Sequence, residues 1–270
     1  MSELWSLHRG NGPVMVNVPH AGTIFPAAIS AGLTTAAQQN PDADWHVDKL
    51  YRSAACAFHA TLMVATHSRI VVDLNRNPSG DLLYPGASNT EICPLTTFDS
   101  EPIYRTGNAP GAVDVEARVR QYWQPYHAQL GAEIERIKSR HGYCVLLDVH
   151  SIVSEAPRFF AGRLPDLNLG TVDGNSCEPS LAEAVFRRLR AADGFTAVHN
   201  GRFKGGFITR HYGQPADNAH AMQLEIAQRC YMDEDAPAHY DVSPAAALVA
   251  ILKTLAEQLA TWHPPLGTKL

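Results

Sequence analysis

The chain has 270 residues, of which 45% are hydrophobic and 18% charged, with a formal net charge of −5. That much apolar material excludes an intrinsically disordered chain and suits one sizeable core, read here as a single domain over residues 1–270. The acidic balance and the absence of any Lys/Arg-rich run exclude the basic stripe of a nucleic-acid binder, and no apolar run approaches the length of a membrane span.

In chain order, the segment before Pro19 shows no basic stretch followed by an apolar one, so no secretory signal is expected. Apolar runs predict strands over 14–18, 61–65, 70–74, 144–149, 195–198 and 221–226. Helical spacing predicts helices over 44–59, 113–140, 179–192 and 244–262, the last two opening on prolines that a first turn tolerates. Strands alternating with helices predict a mostly parallel or mixed sheet covered on both faces. Between the third strand and the second helix, residues 75–111 carry five prolines and four glycines with neither periodicity. A structureless stretch that long is usually functional, and it reads as a loop over an active site. The five cysteines, Cys56, Cys93, Cys144, Cys177 and Cys230, are scattered and odd in number, which suits reduced thiols in a cytoplasmic protein.

Two histidines end apolar strands in matched contexts, Val16-Asn17-Val18-Pro19-His20 and Leu146-Leu147-Asp148-Val149-His150. Ligands bind beyond the carboxyl ends of strands in open α/β sheets, and two neutral imidazoles on one rim could hold zinc. The bland reading is that each merely caps its strand. A third ligand could come from Asp44, His46 or Asp48; Asp44 and Asp48 stand four apart and would share a helix face, although acidic residues also favour a first helical turn. Glu225 lies in the otherwise apolar Met222-Gln223-Leu224-Glu225-Ile226, where an unpaired carboxylate is costly and a general base would be useful; the plain alternative is the polar face of an edge strand. Arg76, Arg105 and Arg210 sit beside loop glycines or a strand end and could grip carboxylates in a planar, bidentate fashion, though any one could equally be a solvated surface residue.

These segments together resemble the N-formylglutamate amidohydrolase family of bacterial histidine degradation. The resemblance rests on Asn17-Val18-Pro19-His20-Ala21-Gly22, Asp44-Trp45-His46-Val47-Asp48-Lys49-Leu50-Tyr51, Asp73-Leu74-Asn75-Arg76-Asn77-Pro78, Leu147-Asp148-Val149-His150-Ser151, Gly205-Gly206-Phe207-Ile208-Thr209-Arg210 and Gln223-Leu224-Glu225-Ile226. It implies a three-layer α/β/α domain with a mixed, mostly parallel sheet, similar to zinc carboxypeptidases and aspartoacylases. It also implies hydrolysis of N-formyl-L-glutamate to formate and L-glutamate, with one zinc ion per chain. On that analogy His20 and His150 match the zinc histidines, Glu225 the catalytic carboxylate and Asn75-Arg76 the pair that holds the α-carboxylate. Arg105 or Arg210 would serve the oxyanion or the second carboxylate. The carboxypeptidase pattern places a carboxylate three residues after the first histidine, where this chain has Thr23. The missing ligand is expected at Asp48, ahead of Asp44. A related zinc deacylase or carboxypeptidase for another N-acyl acidic amino acid is the rival enzyme reading; a non-catalytic binder of acidic metabolites is the rival outside enzymes.

Overall fold

The computed structural model describes residues 3–265 apart from Leu82, Tyr84, Pro85, Ala87 and Asp241, so the predicted loop's Pro85 and both extremes of the predicted domain lie outside the described residues. Seven strands form one sheet: β1 (Trp5–His8), β2 (Val14–Val18), β3 (Thr61–Ala65), β4 (Cys144–Ile152), β5 (Leu167–Gly170), β6 (Ala197–His199) and β7 (Ala219–Ala227). Their order is β1-β3-β2-β4-β7-β5-β6. The central pairings β3/β2, β2/β4 and β4/β7 are parallel, as is β5/β6, whereas β1 joins β3 and β5 joins β7 antiparallel. The sheet is therefore mixed and mostly parallel.

Parity along the strands assigns the two faces. Val14, Val16 and Val18 of β2, Val145, Leu147 and Val149 of β4 and Met222, Leu224 and Ile226 of β7 share one core with α3 (Val47–Ala57), α6 (Pro179–Arg190) and α8 (Val242–Thr261). The alternate residues Met15, Leu146 and Ala221 pack on the opposite face against α5 (Gln124–His141). On that second face the residues nearest the carboxyl ends turn polar: Asn17 on β2, Asp148 and His150 on β4, Gln223 and Glu225 on β7, all buried. Because β2, β4 and β7 are adjacent and parallel, these polar positions converge at one end of the sheet.

The remaining helices are short: α1 (Ala27–Ser30), α2 (Thr35–Gln38), α4 (Ala112–Arg118) and α7 (Phe207–Tyr212). A π-helical turn, Val119–Trp123, joins α4 to α5 where the sequence predicts one helix. Residues 66–111 contain no helix or strand among the described residues, only isolated bridges such as Thr96↔Pro102. The strand expected over 70–74 is absent. Its apolar side chains are buried, but its backbone turns, with Val71 N–H donating to Ser68 O and Asp73 N–H to Ile92 O. The apolar run marks a coil threaded through the core. The helix expected from Asp44 begins only at Val47, because His46 adopts a left-handed conformation (φ 62°). No helix among the described residues is long and apolar enough to cross a membrane, and all five cysteines are free.

Candidate active site

His20 follows β2, and its Nε2–H donates to Asp73 Oδ1 at 2.8 Å. That leaves Nδ1 turned toward Asp44 Oδ2, 3.6 Å away, with no hydrogen-bond partner. On β4, His150 Nε2–H donates to Asp148 Oδ2 at 2.9 Å and Nδ1–H to Asp44 Oδ2 at 3.0 Å. Each imidazole thus has a carboxylate behind its Nε2 and presents Nδ1 to the same point. Asp44 faces that point from the segment before α3, tied there by its own N–H donating to His20 O. Ligand atoms of His20, Asp44 and His150 all lie within 4.8 Å of one another, and all three residues are buried.

Asp48, the residue expected here, is in the first turn of α3 with its side chain 27% exposed, 3.6 Å from Arg52. The left-handed residue His46 breaks the helical register that would have put Asp44 and Asp48 on one face, so the structure brings Asp44 and not Asp48 to the histidines. His46 points elsewhere, its Nε2–H donating to Pro237 O and its Nδ1 accepting from Lys49 Nζ.

The supporting groups are buried and mutually satisfied. Asp73 accepts from Arg69 Nη2 at 2.6 Å and from the Asn75 backbone at 2.8 Å. Asp148 Oδ1 accepts from Asn17 Nδ2 at 2.7 Å, and Asn17 Oδ1 accepts from the Tyr126 hydroxyl at 2.7 Å. Burial opposes the charges of Asp44 and Asp73, but His20 and His150 around the first and Arg69 and His20 around the second outweigh it and hold both carboxyls below their ordinary range. Burial likewise opposes a charge on His150, yet Asp148 and Asp44 raise it well above the ordinary imidazole value.

Glu225 stands directly across from His150 in the β4/β7 register. Gln223, two residues earlier on the same face, donates from Nε2 to Glu225 Oε2 at 3.1 Å and accepts the Gly206 N–H on Oε1 at 2.8 Å. Burial pushes the Glu225 carboxyl up to about 7, against the pull of His150.

These groups open into a cavity of about 580 Å³ lined by His20, His150 and Glu225 together with Asn75, Arg76 and Arg202. Asn75 Oδ1 accepts from Ile208 N–H at 2.8 Å, and its Nδ2 lies 3.1 Å from His150 Nε2. A Cβ at Gly206 would sit 2.2 Å from Asn75 Nδ2, so only glycine allows this approach. Arg76 donates to Thr90 and to Asn75 O, while its own carbonyl accepts from Trp123 Nε1 in the π-helical turn. Arg105 and Arg210 are exposed and lie outside the lining: Arg105 is fixed through its backbone to Gly32 O, and Arg210 Nε donates to Gly205 O. In their place the cavity wall holds Arg69 and Arg202, neither flagged by the sequence reading. Asp148 and Gln223 were recognisable in principle as polar residues two positions before His150 and Glu225 on the same strand face; Asp73 had only its place in a buried apolar run as a signal.

Residues 12–232 match the sequence profile of the N-formylglutamate amidohydrolase family. The chain is 45% identical over 262 residues to the N-formylglutamate deformylase of Pseudomonas aeruginosa, covering 97% of this chain and 98% of that protein. It is 43% identical to the N-formylglutamate deformylase of Pseudomonas putida, covering 97% of each. The fold is similar to the crystal structure of N-formylglutamate amidohydrolase from Ralstonia eutropha JMP134, with a TM-score of 0.78 and 28% identity over 94% of this chain and 97% of that one.

Proposed function

The chain belongs to the N-formylglutamate amidohydrolase family, and from that premise we propose that it hydrolyses N-formyl-L-glutamate to formate and L-glutamate with one zinc ion held by His20, Asp44 and His150. The observation that carries the reading is the buried convergence of two Nδ1 atoms and one carboxylate beside Glu225, in a cavity with an arginine-bearing wall. The donor set fits the ion. His20 Nδ1 is buried without a hydrogen-bond partner, a costly state that a cation would relieve. Two imidazoles and a carboxylate suit a catalytic zinc site that keeps an open position. The carboxylates of Asp73 and Asp148 behind the rings fix the tautomer that presents Nδ1.

When bound, such an ion would polarise the formyl oxygen and acidify a water molecule. Glu225 takes the proton from the attacking water and delivers it to the departing amide nitrogen of glutamate. A carboxyl shifted to about 7 is matched to both transfers near neutral pH. Gln223, fixed by Gly206, keeps Glu225 Oε2 oriented during the exchange. Arg76 holds the substrate's α-carboxylate, and Asn75 keeps the start of α7 in register. We read the reaction as the last step of a histidine degradation pathway in the cytoplasm, a compartment in which five free thiols would stay reduced.

The substrate is tested by kcat/KM across N-formyl-, N-acetyl- and peptidyl-L-glutamates. N-formyl-L-glutamate is expected to be the best of the panel; a better acetyl or peptidyl substrate would move the protein to the related deacylases or carboxypeptidases.

A further inference from the structure

The strip Leu74-Asn75-Arg76, whose last two residues line the cavity, runs outside the sheet, so no strand ladder takes up its backbone carbonyls. A carbonyl inside a folded chain needs a donor from somewhere. Two of these three are met by side chains of one helical segment: His127 Nε2–H donates to Leu74 O at 2.8 Å, and Trp123 Nε1–H to Arg76 O at 3.1 Å. From α4, Arg118 donates to Val71 O at 3.3 Å, earlier on the same coil.

The spacing of these three donors is irregular. Trp123 and His127 stand four apart and share a face of an α-helix, but Arg118 and Trp123 stand five apart and would not. The π-helical turn Val119–Trp123 removes the mismatch. Across it Gln124 N–H donates to Val119 O, five residues back, so residues five apart come onto one face. One extra residue where α4 meets α5 thus turns all three side chains onto the coil. Single π-turns within helices are frequent at functional sites, and this one faces the strip that carries Arg76.

Packing holds the two rings in place. Trp123 stacks on His127 with centroids 3.8 Å apart and 26° between the planes, and His127 lies parallel to Tyr212 of α7, whose hydroxyl is 3.0 Å from Nδ1. Burial pushes the His127 imidazole down to about 4, so near neutral pH it carries one proton, which Leu74 O fixes on Nε2. The Phe207 ring lies 5.4 Å from that of Trp123, and Phe207 N–H donates to Asn75 O, the third carbonyl of the strip.

We propose that the π-turn is a positioning device: Trp123 and His127, acting through the Arg76 and Leu74 carbonyls, set the place at which Arg76 meets the substrate's α-carboxylate. This rests on the proposed role of Arg76. Trp123→Phe keeps a ring against His127 and Phe207 and removes the Nε1 donor. Parent and variant are compared on N-formyl-L-glutamate and on N-formyl-L-isoglutamine, in which an amide replaces the α-carboxylate. The ratio of kcat/KM between the two substrates is expected to fall about 3- to 10-fold in the variant, the scale of one neutral hydrogen bond. His127→Leu should lower the ratio in the same way, and His127→Gln, whose Nε2 can still donate to Leu74 O, should restore most of it. An unchanged ratio overturns the proposal even if both activities fall, since a merely structural role weakens both alike. Calorimetric binding of L-glutamate and L-isoglutamine to the zinc-loaded protein separates this proposal from the deformylase reading. A preference for L-glutamate that Trp123→Phe reduces, in a protein that releases no formate, sustains the positioning role and sinks the deformylase reading. Formate release with a preference that survives the substitution, or with none in the parent, does the reverse.

Discussion

Asp148→Asn is nearly isosteric, yet the structure makes it expensive for metal binding. Tyr126 donates to Asn17 Oδ1, so the Asn17 amide must turn its Nδ2 toward position 148. His150 Nε2–H points at the other oxygen of the same carboxylate. A carboxylate accepts both donors, whereas an amide accepts one and confronts the other with its own NH₂. The conflict leaves a donor–donor contact or drives the His150 proton to Nδ1, the atom that would bind zinc. A lost buried hydrogen bond to a charged group is worth about 1.5–3 kcal/mol. That corresponds to about 10- to 150-fold in zinc affinity, in line with the about 10- to 100-fold usual for a carboxylate behind a metal-bound histidine. The assay is zinc competition against a chromophoric chelator, with far-UV circular dichroism confirming the fold. An unchanged zinc Kd in a folded variant would refute the argument that Asp148 sets the tautomer of His150.

Glu225→Gln should lower kcat by about 10²–10⁴, the range for a lost general base, while zinc content stays stoichiometric. Asp44→Asn should abolish stoichiometric zinc retention after dialysis, whereas Asp48→Asn, at a half-exposed position beside Arg52, should leave metal content and kcat/KM at the parent values. In the metal-free protein Asp148 and Asp44 hold His150 protonated above the ordinary imidazole value of 6.5. Its contribution to stability is therefore fully present below that value and fades as pH rises through the raised one. Zinc must displace this proton from Nδ1, so calorimetry in buffers of differing ionisation enthalpy should register proton release on binding near neutral pH, and zinc affinity should climb with pH across that window. No buffer dependence would mean that His150 is neutral before the metal arrives.

The sheet was legible where strands are buried on both faces. β2, β3 and the greater part of β4 and β7 read as continuous apolar runs because helices cover them on each side. β1 alternates over only four half-exposed residues at an edge, and β5 is Leu-Asn-Leu-Gly, too short and too polar to stand out. The run at 70–74 misled for the opposite reason: burial makes a segment apolar whether or not it joins a ladder, and this one is a core-threading coil that delivers Asp73 and Asn75. His20, His150 and Glu225 stood out because each is a polar residue at or near the carboxyl end of an apolar run. Asp44 lost out to Asp48 because a single left-handed residue, His46, shifts the helix start by three positions, and nothing in the composition of 42–48 announces it. The arginines were least legible. Whether a loop arginine faces the cavity depends on contacts over long separations, such as Arg202 with Phe159 and Arg69 with Asp44, and glycine neighbours gave Arg105 and Arg210 the same local signature.

The central claim, a hydrolase whose chemistry depends on an ion between His20, Asp44 and His150, is tested most directly by titrating chelator-stripped protein with zinc while following formate release from N-formyl-L-glutamate. Activity should be negligible without metal, rise in proportion to added zinc and saturate at one equivalent per chain. Full activity in the stripped protein, or zinc retained without any formate released, would contradict it.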